Sequence, residues 1–270
     1  MLPGGPARAG PPAGLRLSGP VELGLGALEV LSVPGTGRVV GVYAKAAYLR
    51  MPAGLLALTS LGVPSGPGHA RCAEPLGRLK IDDRVVATGT FLQAGSVLFE
   101  IGRARVWRGP LPKGGELDSE RRLALDLLEG APPSSLERSV VESAVEPLKQ
   151  GDIAGVASRL GGVGPGLTPA GDDCLAGILL IAGIRWGETA GPTLVDIASK
   201  VETNDIARMF LHWAARGQSI EPVHRFLVSA AVGSREGAAG ALDDLIRFGH
   251  SSGADLALGL RLGLQLLAGG

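Results

Sequence analysis

Cysteine is nearly absent from this 270-residue chain. Cys72 and Cys174 are its only two, and neither stands in a CxxC or histidine-rich setting. A disulfide framework is excluded, and a reduced, cytoplasmic protein is the expectation. His69, His212, His224 and His250 match no zinc-ligand spacing. Aromatics are scarce as well: five Phe, three Trp and two Tyr. The core therefore has to be built from Leu, Val, Ile and Ala. There is no excess of either charge, because 26 basic residues cancel 26 acidic ones. That excludes a broad electrostatic pull toward nucleic acid or anionic membrane. The longest uncharged apolar run, Cys174 to Ile184, is too short to span a bilayer, and Met1 to Pro20 lacks the apolar stretch of a signal peptide.

What the chain has in quantity is glycine, 43 residues, with 19 prolines. Their distribution divides the sequence. Residues 1–20 are rich in Pro, Gly and Ala without periodicity and read as a loose arm. Residues 21–113 carry short apolar or alternating runs, among them Arg38–Tyr43, Gly54–Ser60, Arg84–Thr90, Ser96–Ile101 and Ala104–Trp107, separated by Gly, Pro and Asp. Asp82-Asp83 and Gln93–Ser96 read as turns between them. This texture predicts a small barrel or sandwich. From residue 114 to 270, after Pro112-Lys-Gly-Gly115, nearly everything reads as helix, about seven in all. Asp118, Ser134 or Ser135, and Asp152 are placed to cap three of these. The fold class is thus α+β, a β-rich N-terminal domain followed by a mostly helical one.

The segment Gly161-Gly-Val-Gly-Pro-Gly-Leu-Thr-Pro-Ala-Gly-Asp-Asp-Cys-Leu-Ala-Gly177 is the most informative. Four glycines and a proline lie in its first six residues, so the backbone there can approach a ligand closely. Thr168 is placed to cap the following helix, Pro169 suits its first position, and Asp172 and Asp173 fall in its first turn. A flexible loop feeding a helix N-terminus offers free N–H groups and the positive end of the helix dipole, an anion-binding arrangement. The two aspartates oppose a bare phosphate. A metal ion, or a cationic or amide-bearing substrate, reconciles loop and acids. The loop is no Walker A motif, since no Gly-Lys-Ser/Thr follows, and it lacks Rossmann spacing.

This segment has an echo 82 residues on, where Gly253, Asp255 and Gly259 repeat Gly171, Asp173 and Gly177. Both copies open apolar helices. Small residues six apart allow close helix crossing, so the two helices are expected to pack with neighbouring N-termini. Each candidate also has a structural reading. First-turn aspartates are worth roughly 0.3–1 kcal/mol as dipole complements. Ser251 or Ser252 reads as a cap, Asn204 caps the helix after Thr203, and His250, Ser251 and Asp255 are too close in sequence to suggest a catalytic triad. His212 and His224 read as helix-surface or packing residues. Arg71, Arg78 and Lys80 read as solvated surface.

Gly164-Pro-Gly-Leu-Thr-Pro-Ala-Gly-Asp-Asp173 and Gly249-His-Ser-Ser-Gly-Ala-Asp255 resemble the two signatures of a bacterial and archaeal family. It is named after the third subunit of oxamate carbamoyltransferase, an enzyme of anaerobic allantoin use and purine degradation. Thr203–Gly217 is similar to that family's middle motif, and the Val85–Gly109 strand region follows it more loosely. The resemblance covers most of residues 35–268. Ala170 stands where the signature usually has serine, and Asn204 where other polar residues are common. The family implies partner-dependent carbamoyl transfer: carbamoyl phosphate and oxamate giving oxalurate and phosphate, or the reverse.

The site expected on these grounds joins the loop (Gly164, Gly166, Leu167, Thr168) to the two helix starts, with Thr203 and Asn204 beside them. Asp172, Asp173 and His250 are the candidate catalytic groups. Gly171, Ser251, Ser252, Gly253 and Asp255 join the loop, Thr203 and Asn204 as substrate contacts. No cofactor is expected, but Asp172 and Asp173 are the pair that would hold Mg²⁺. A small anionic or amide substrate and other protein subunits, or further copies of the chain, are the expected partners. Nucleic acid and membrane are not. Two alternatives stand beside this: a magnesium-dependent phosphotransferase of a small molecule, and a non-catalytic subunit whose loop docks a partner.

Overall fold

The structure is a computed structural model that describes residues 16–18, 22–73 and 76–267. The arm expected over residues 1–20 lies outside the described residues except for 16–18, which form a strand. The described residues divide into two compact units, those within Met1–Val63 and His69–Trp107, and those within Pro64–Gly68 and Arg108–Gly270.

The first unit contains β1 (Arg16–Ser18), β2 (Glu22–Gly24), α1 (Leu25–Ser32), β3 (Gly35–Val42), β4 (Ala46–Met51), β5 (Gly54–Ser60), β6 (His69–Cys72), β7 (Arg84–Ala87), β8 (Phe91–Ala94), β9 (Val97–Glu100) and β10 (Arg105–Trp107). The strands form one sheet in the order β1-β9-β8-β7-β3-β4-β5-β6-β2-β10, curled into a half-barrel. Parallel pairs (β1 with β9, β5 with β6, β2 with β10) interrupt an otherwise antiparallel ladder. β3 alternates covered and exposed residues, the period-2 signature of a strand with one wet face, whereas Leu56–Thr59 of β5 is buried throughout. Both turns read from the sequence are present. Asp82 takes a left-handed conformation while the Asp83 carboxylate accepts the Lys80 N–H at 2.8 Å, and Gly95 at φ +54° joins β8 to β9. The short helix α1 was not foreseen. Its Ala27, Val30 and Leu31, at i, i+3 and i+4, are buried in the sheet's hydrophobic core.

The second unit is helical: α2 (Gly114–Ser119), α3 (Arg121–Glu129), α4 (Arg138–Lys149), α5 (Ile153–Leu160), α6 (Ala170–Trp186), α7 (Gly191–Ser199), α8 (Asp205–Ala215), α9 (Glu221–Ala231), α10 (Arg235–Ile246) and α11 (Ser252–Leu266). The centre is α6. Every residue from Ala170 to Ala182 is buried, which is why its sequence beyond Asp173 is apolar all round rather than on one stripe. No helix among the described residues is long and apolar enough to cross a membrane.

Helix α11 is the main partner of α6, and the glycines of the sequence repeat make that contact. A Cβ on Gly177 would lie 2.6 Å from the Leu256 carbonyl oxygen and 2.7 Å from the Leu260 nitrogen. A Cβ on Gly259 would overlap the Cys174 carbonyl oxygen and sit 2.8 Å from its carbon. The two glycines therefore let the two backbones touch reciprocally. The first glycines of each copy do the same toward the preceding helix. Gly171 packs on the last carbonyl of α5, that of Leu160, and Gly253 on the Leu245 carbonyl near the end of α10. The repeat is thus a repeated helix–loop–helix, its two copies packed through α6 and α11.

Local capping departs from expectation at three places. Asp118 lies inside α2, and its carboxylate accepts from the Arg185 guanidinium at 2.7 Å. The helix expected to start at Ser134 or Ser135 starts at Arg138, because both serines are bonded elsewhere. Pro169, not Thr168, is the N-cap of α6. Asp152 does cap α5, accepting the Gly155 N–H at 2.8 Å.

Candidate functional site

The loop between α5 and α6 exposes Gly164, Pro165, Gly166 and Leu167, then turns inward at Thr168. Gly164 has φ +112°, and a side chain there would press on the Ala170 nitrogen at 2.9 Å, so this turn admits only glycine. The backbone amides of the first helical turns are engaged within the protein. Gly171 N–H donates to the Val163 carbonyl at 2.8 Å, and those of Asp172 and Asp173 donate to the Pro169 carbonyl at 2.9 and 3.1 Å. At α11 the Gly253 N–H is likewise bonded to Phe248.

Asp172 is buried and fully employed. Its Oδ1 accepts the Gly162 N–H at 2.9 Å and its Oδ2 accepts the Thr203 hydroxyl at 2.5 Å. Arg208 holds the carbonyls of Ser199, Val201 and Thr203, fixing that strand of loop opposite the carboxylate. Burial raises the Asp172 pKa, against the pull of these bonds and of Arg208. Asp172 thus ties the glycine loop to the 199–203 segment. Asn204 caps α8 through the N–H groups of Ile206 and Ala207.

Asp173 is in a different state. It is 7% exposed, and its Oδ2 has no hydrogen-bond partner. The hydroxyls of Thr168 and Ser252 lie 3.0 Å from each other and act on the Asp173 carboxyl to favour its ionised form. Burial outweighs them, and with Asp255 and Asp172 nearby the pKa is pushed up to about 8. At neutral pH this carboxyl is mostly protonated.

Asp173 lines a cavity of about 30 Å³, room for one or two water-sized groups. Thr168, Gln218 and Ser219 complete its polar wall, and Phe210, Ile220, Phe248 and Leu256 form much of its apolar wall. No Lys, Arg or His lines it. The Gln218–Ser219 wall is held in place by two anchors. The Gln218 side-chain oxygen accepts the Gly109 N–H at 3.2 Å, and the buried His224 accepts the Ser219 N–H on Nε2 at 2.9 Å. That bond puts the His224 proton on Nδ1, where it donates to the Pro110 carbonyl at 2.9 Å. Burial lowers the His224 pKa, so the ring stays neutral.

The two motifs therefore meet, through Thr168 and Ser252 beside Asp173. Not every expected residue joins them. His250 is exposed on the turn before α11 and does not line the cavity, and Ser251 caps α11 without a side-chain bond. Asp255 is wholly buried and committed elsewhere. Its Oδ1 accepts the Ser134 hydroxyl at 2.6 Å, the Ser135 N–H at 2.7 Å and the Ser135 hydroxyl at 3.1 Å, and its Oδ2 accepts that last hydroxyl at 3.0 Å. Removing it leaves three donors without an acceptor. Asp255→Ala is expected to lower the stability of the chain by about 2 kcal/mol, measured by urea unfolding. A loss below about 0.5 kcal/mol would show that the 134–135 segment does not depend on it.

Gln218, Ser219 and Phe248 were not foreseen. The only sequence pointer to the first two is their place directly after the Thr203–Gly217 motif. Among the described residues no three His, Cys, Asp or Glu side chains converge so as to hold a metal ion. No solved structure matches the chain. Residues 160–264, which run from the end of α5 into the last turns of α11 and hold both glycine–aspartate motifs, match the model of the family described as oxamate carbamoyltransferase subunit AllH, the family those motifs resemble.

Proposed function

We propose that this chain is one subunit of a carbamoyltransferase that moves a carbamoyl group between carbamoyl phosphate and a small amide or carboxylate such as oxamate, together with other protein subunits. The observation that carries this is the union of the two matched motifs: Thr168 and Ser252 in contact at 3.0 Å, beside a buried carboxyl that lines a cavity. In the forward reaction the acceptor's amide nitrogen attacks the carbamoyl carbon. A C–N bond forms, the C–O bond to phosphate breaks, and the proton lost by the nitrogen ends on the released phosphate. A small polar cavity walled by Phe and Leu side chains suits a planar substrate end that must be held dry and in one orientation.

The magnesium-dependent phosphotransferase reading has less support. Only Asp172 and Asp173 are at hand as ligands, and both oxygens of Asp172 already accept hydrogen bonds within the protein. The docking reading has one observation in its favour, Leu167, which is 39% exposed at the loop.

The test is reconstitution with the other subunits of the complex. Oxalurate formation is expected only when this chain is present. The Thr168→Val, Ser252→Ala double variant is expected to assemble normally but turn over at least tenfold more slowly, the scale of a lost positioning contact. Full turnover without the chain would end the proposal. Full turnover by the double variant would reduce the chain to a docking subunit.

A further inference from the structure

The repeat offers a comparison internal to the molecule. Asp173 and Asp255 occupy equivalent places, two residues after the first glycine of each copy, in the first turn of helices that pack reciprocally through Gly177 and Gly259. Both carboxyls are more than nine-tenths buried. Around Asp255 every need is met from within the chain, by two hydroxyls and by the Ser135 N–H. Around Asp173 two hydroxyls are again near, those of Thr168 and Ser252. What is missing is a counterpart of the Ser135 N–H. Asp173 Oδ2 is left without a partner, and the carboxyl borders a cavity large enough for a group of that size.

We propose that Asp173 accepts the N–H of the acceptor substrate's primary amide, which fills at α6 the place the Ser134–Ser135 segment fills at α11. The inference rests on the carbamoyltransferase reading for the identity of that substrate. The chemistry of the cavity narrows the class. A carboxylate or phosphate end would find no cation in the lining to offset its charge, with the carboxyls of Asp172 and Asp255 close by. A full positive charge would be poorly solvated by Phe210, Ile220, Phe248 and Leu256. An amide brings donors without charge, and its carbonyl oxygen can accept from the Thr168 or Ser252 hydroxyl. Held this way, the amide nitrogen that must attack the carbamoyl carbon is the atom that Asp173 orients.

The experiment compares oxamate with oxalate, the same skeleton with the amide replaced by a carboxylate, on the assembled complex. Binding is measured calorimetrically at pH 9, above the Asp173 pKa of about 8, for the wild type, Asp173→Asn and Asp173→Leu. The wild type is expected to prefer oxamate by at least tenfold. Asp173→Leu, similar in size and without an acceptor, is expected to lose that preference through weaker oxamate binding. Asp173→Asn, which presents an N–H donor of its own, is expected to lower the ratio by at least tenfold in favour of oxalate. Should the leucine variant not assemble, the asparagine variant decides alone. An unchanged oxamate-to-oxalate ratio in an assembled variant overturns the role of Asp173 and leaves the transferase reading standing. A wild-type complex that binds neither compound overturns both.

Discussion

Alanine at Gly259 is expected to lower the melting temperature of the helical unit by about 10 °C, read from the helical circular-dichroism signal. The added methyl would overlap the Cys174 carbonyl oxygen, with the Cys174 carbonyl carbon at 2.8 Å and its Cα at 3.0 Å. All three atoms are backbone of α6, a helix buried on every side, so no side chain can swing away to make room. The helices would have to separate, opening the contact between Gly177, Leu256 and Leu260 as well. Overpacking of this kind costs about 3 kcal/mol where relaxation is blocked, and each kcal/mol moves a unit of this size by roughly 2–4 °C. Gly240→Ala is the control. It lies exposed in α10 with no atom within 4 Å of the added Cβ, and alanine there should be neutral or stabilising, since glycine is the poorer helix former. A Gly259→Ala melt matching that of Gly240→Ala would show that α6 and α11 are not in backbone contact.

The second large effect is on the pH dependence of stability. Asp173 has its pKa pushed up to about 8 in the folded chain, with burial the chief cause. In the unfolded chain an aspartate titrates near pH 3.9. Between those values the unfolded chain has released the proton and the native chain still holds it. The native state thus binds more protons, and the contribution of Asp173 to stability falls as pH rises from about 4 to about 8, then levels off. Asp172, also raised, acts in the same sense. Comparing wild type with Asp173→Asn removes that background. Relative to wild type, the variant is expected to gain about 3 kcal/mol in urea unfolding between pH 5 and pH 8. Parallel curves for the two proteins would mean that Asp173 titrates normally and is not buried as described.

A group that costs native stability at neutral pH, and keeps an orphaned oxygen beside a cavity, is the reverse of what packing alone would produce. The chain already contains the packed solution at Asp255, where Ser134 and Ser135 saturate the same residue in the same helical position. That contrast inside one molecule is what sets Asp173 apart as a place for a ligand group. It also separates Asp173 from Asp172, whose oxygens join the glycine loop to Thr203.

Much of the fold was legible because it depends on neighbours within a turn or two. The change from short β-prone runs to helical periodicity is a local property, and the half-barrel and the helical unit follow it. The apolar run after Asp173 announces α6, and the Asp152 cap announces α5. The packing of α6 on α11 was expected from the repeated glycines, but only Gly177 and Gly259 make that contact, while Gly171 and Gly253 pack on the preceding helices. Where a short element lacks a clear period, as in α1, β4 and β8, the chain carries no signal strong enough to separate strand, helix and turn.

What the sequence by itself determined is that two aspartates stand in equivalent first turns of helices that must cross closely. Which of them would be satisfied and which left open was decided only in three dimensions. Ser134 and Ser135 come to Asp255 from 121 and 120 residues away, and Gln218 and Ser219 close the wall before Asp173, held there by His224 and Gly109. The reason is physical: a cap or a turn is settled by adjacent residues, whereas a buried carboxyl takes its hydrogen bonds from whatever the folded chain brings to it.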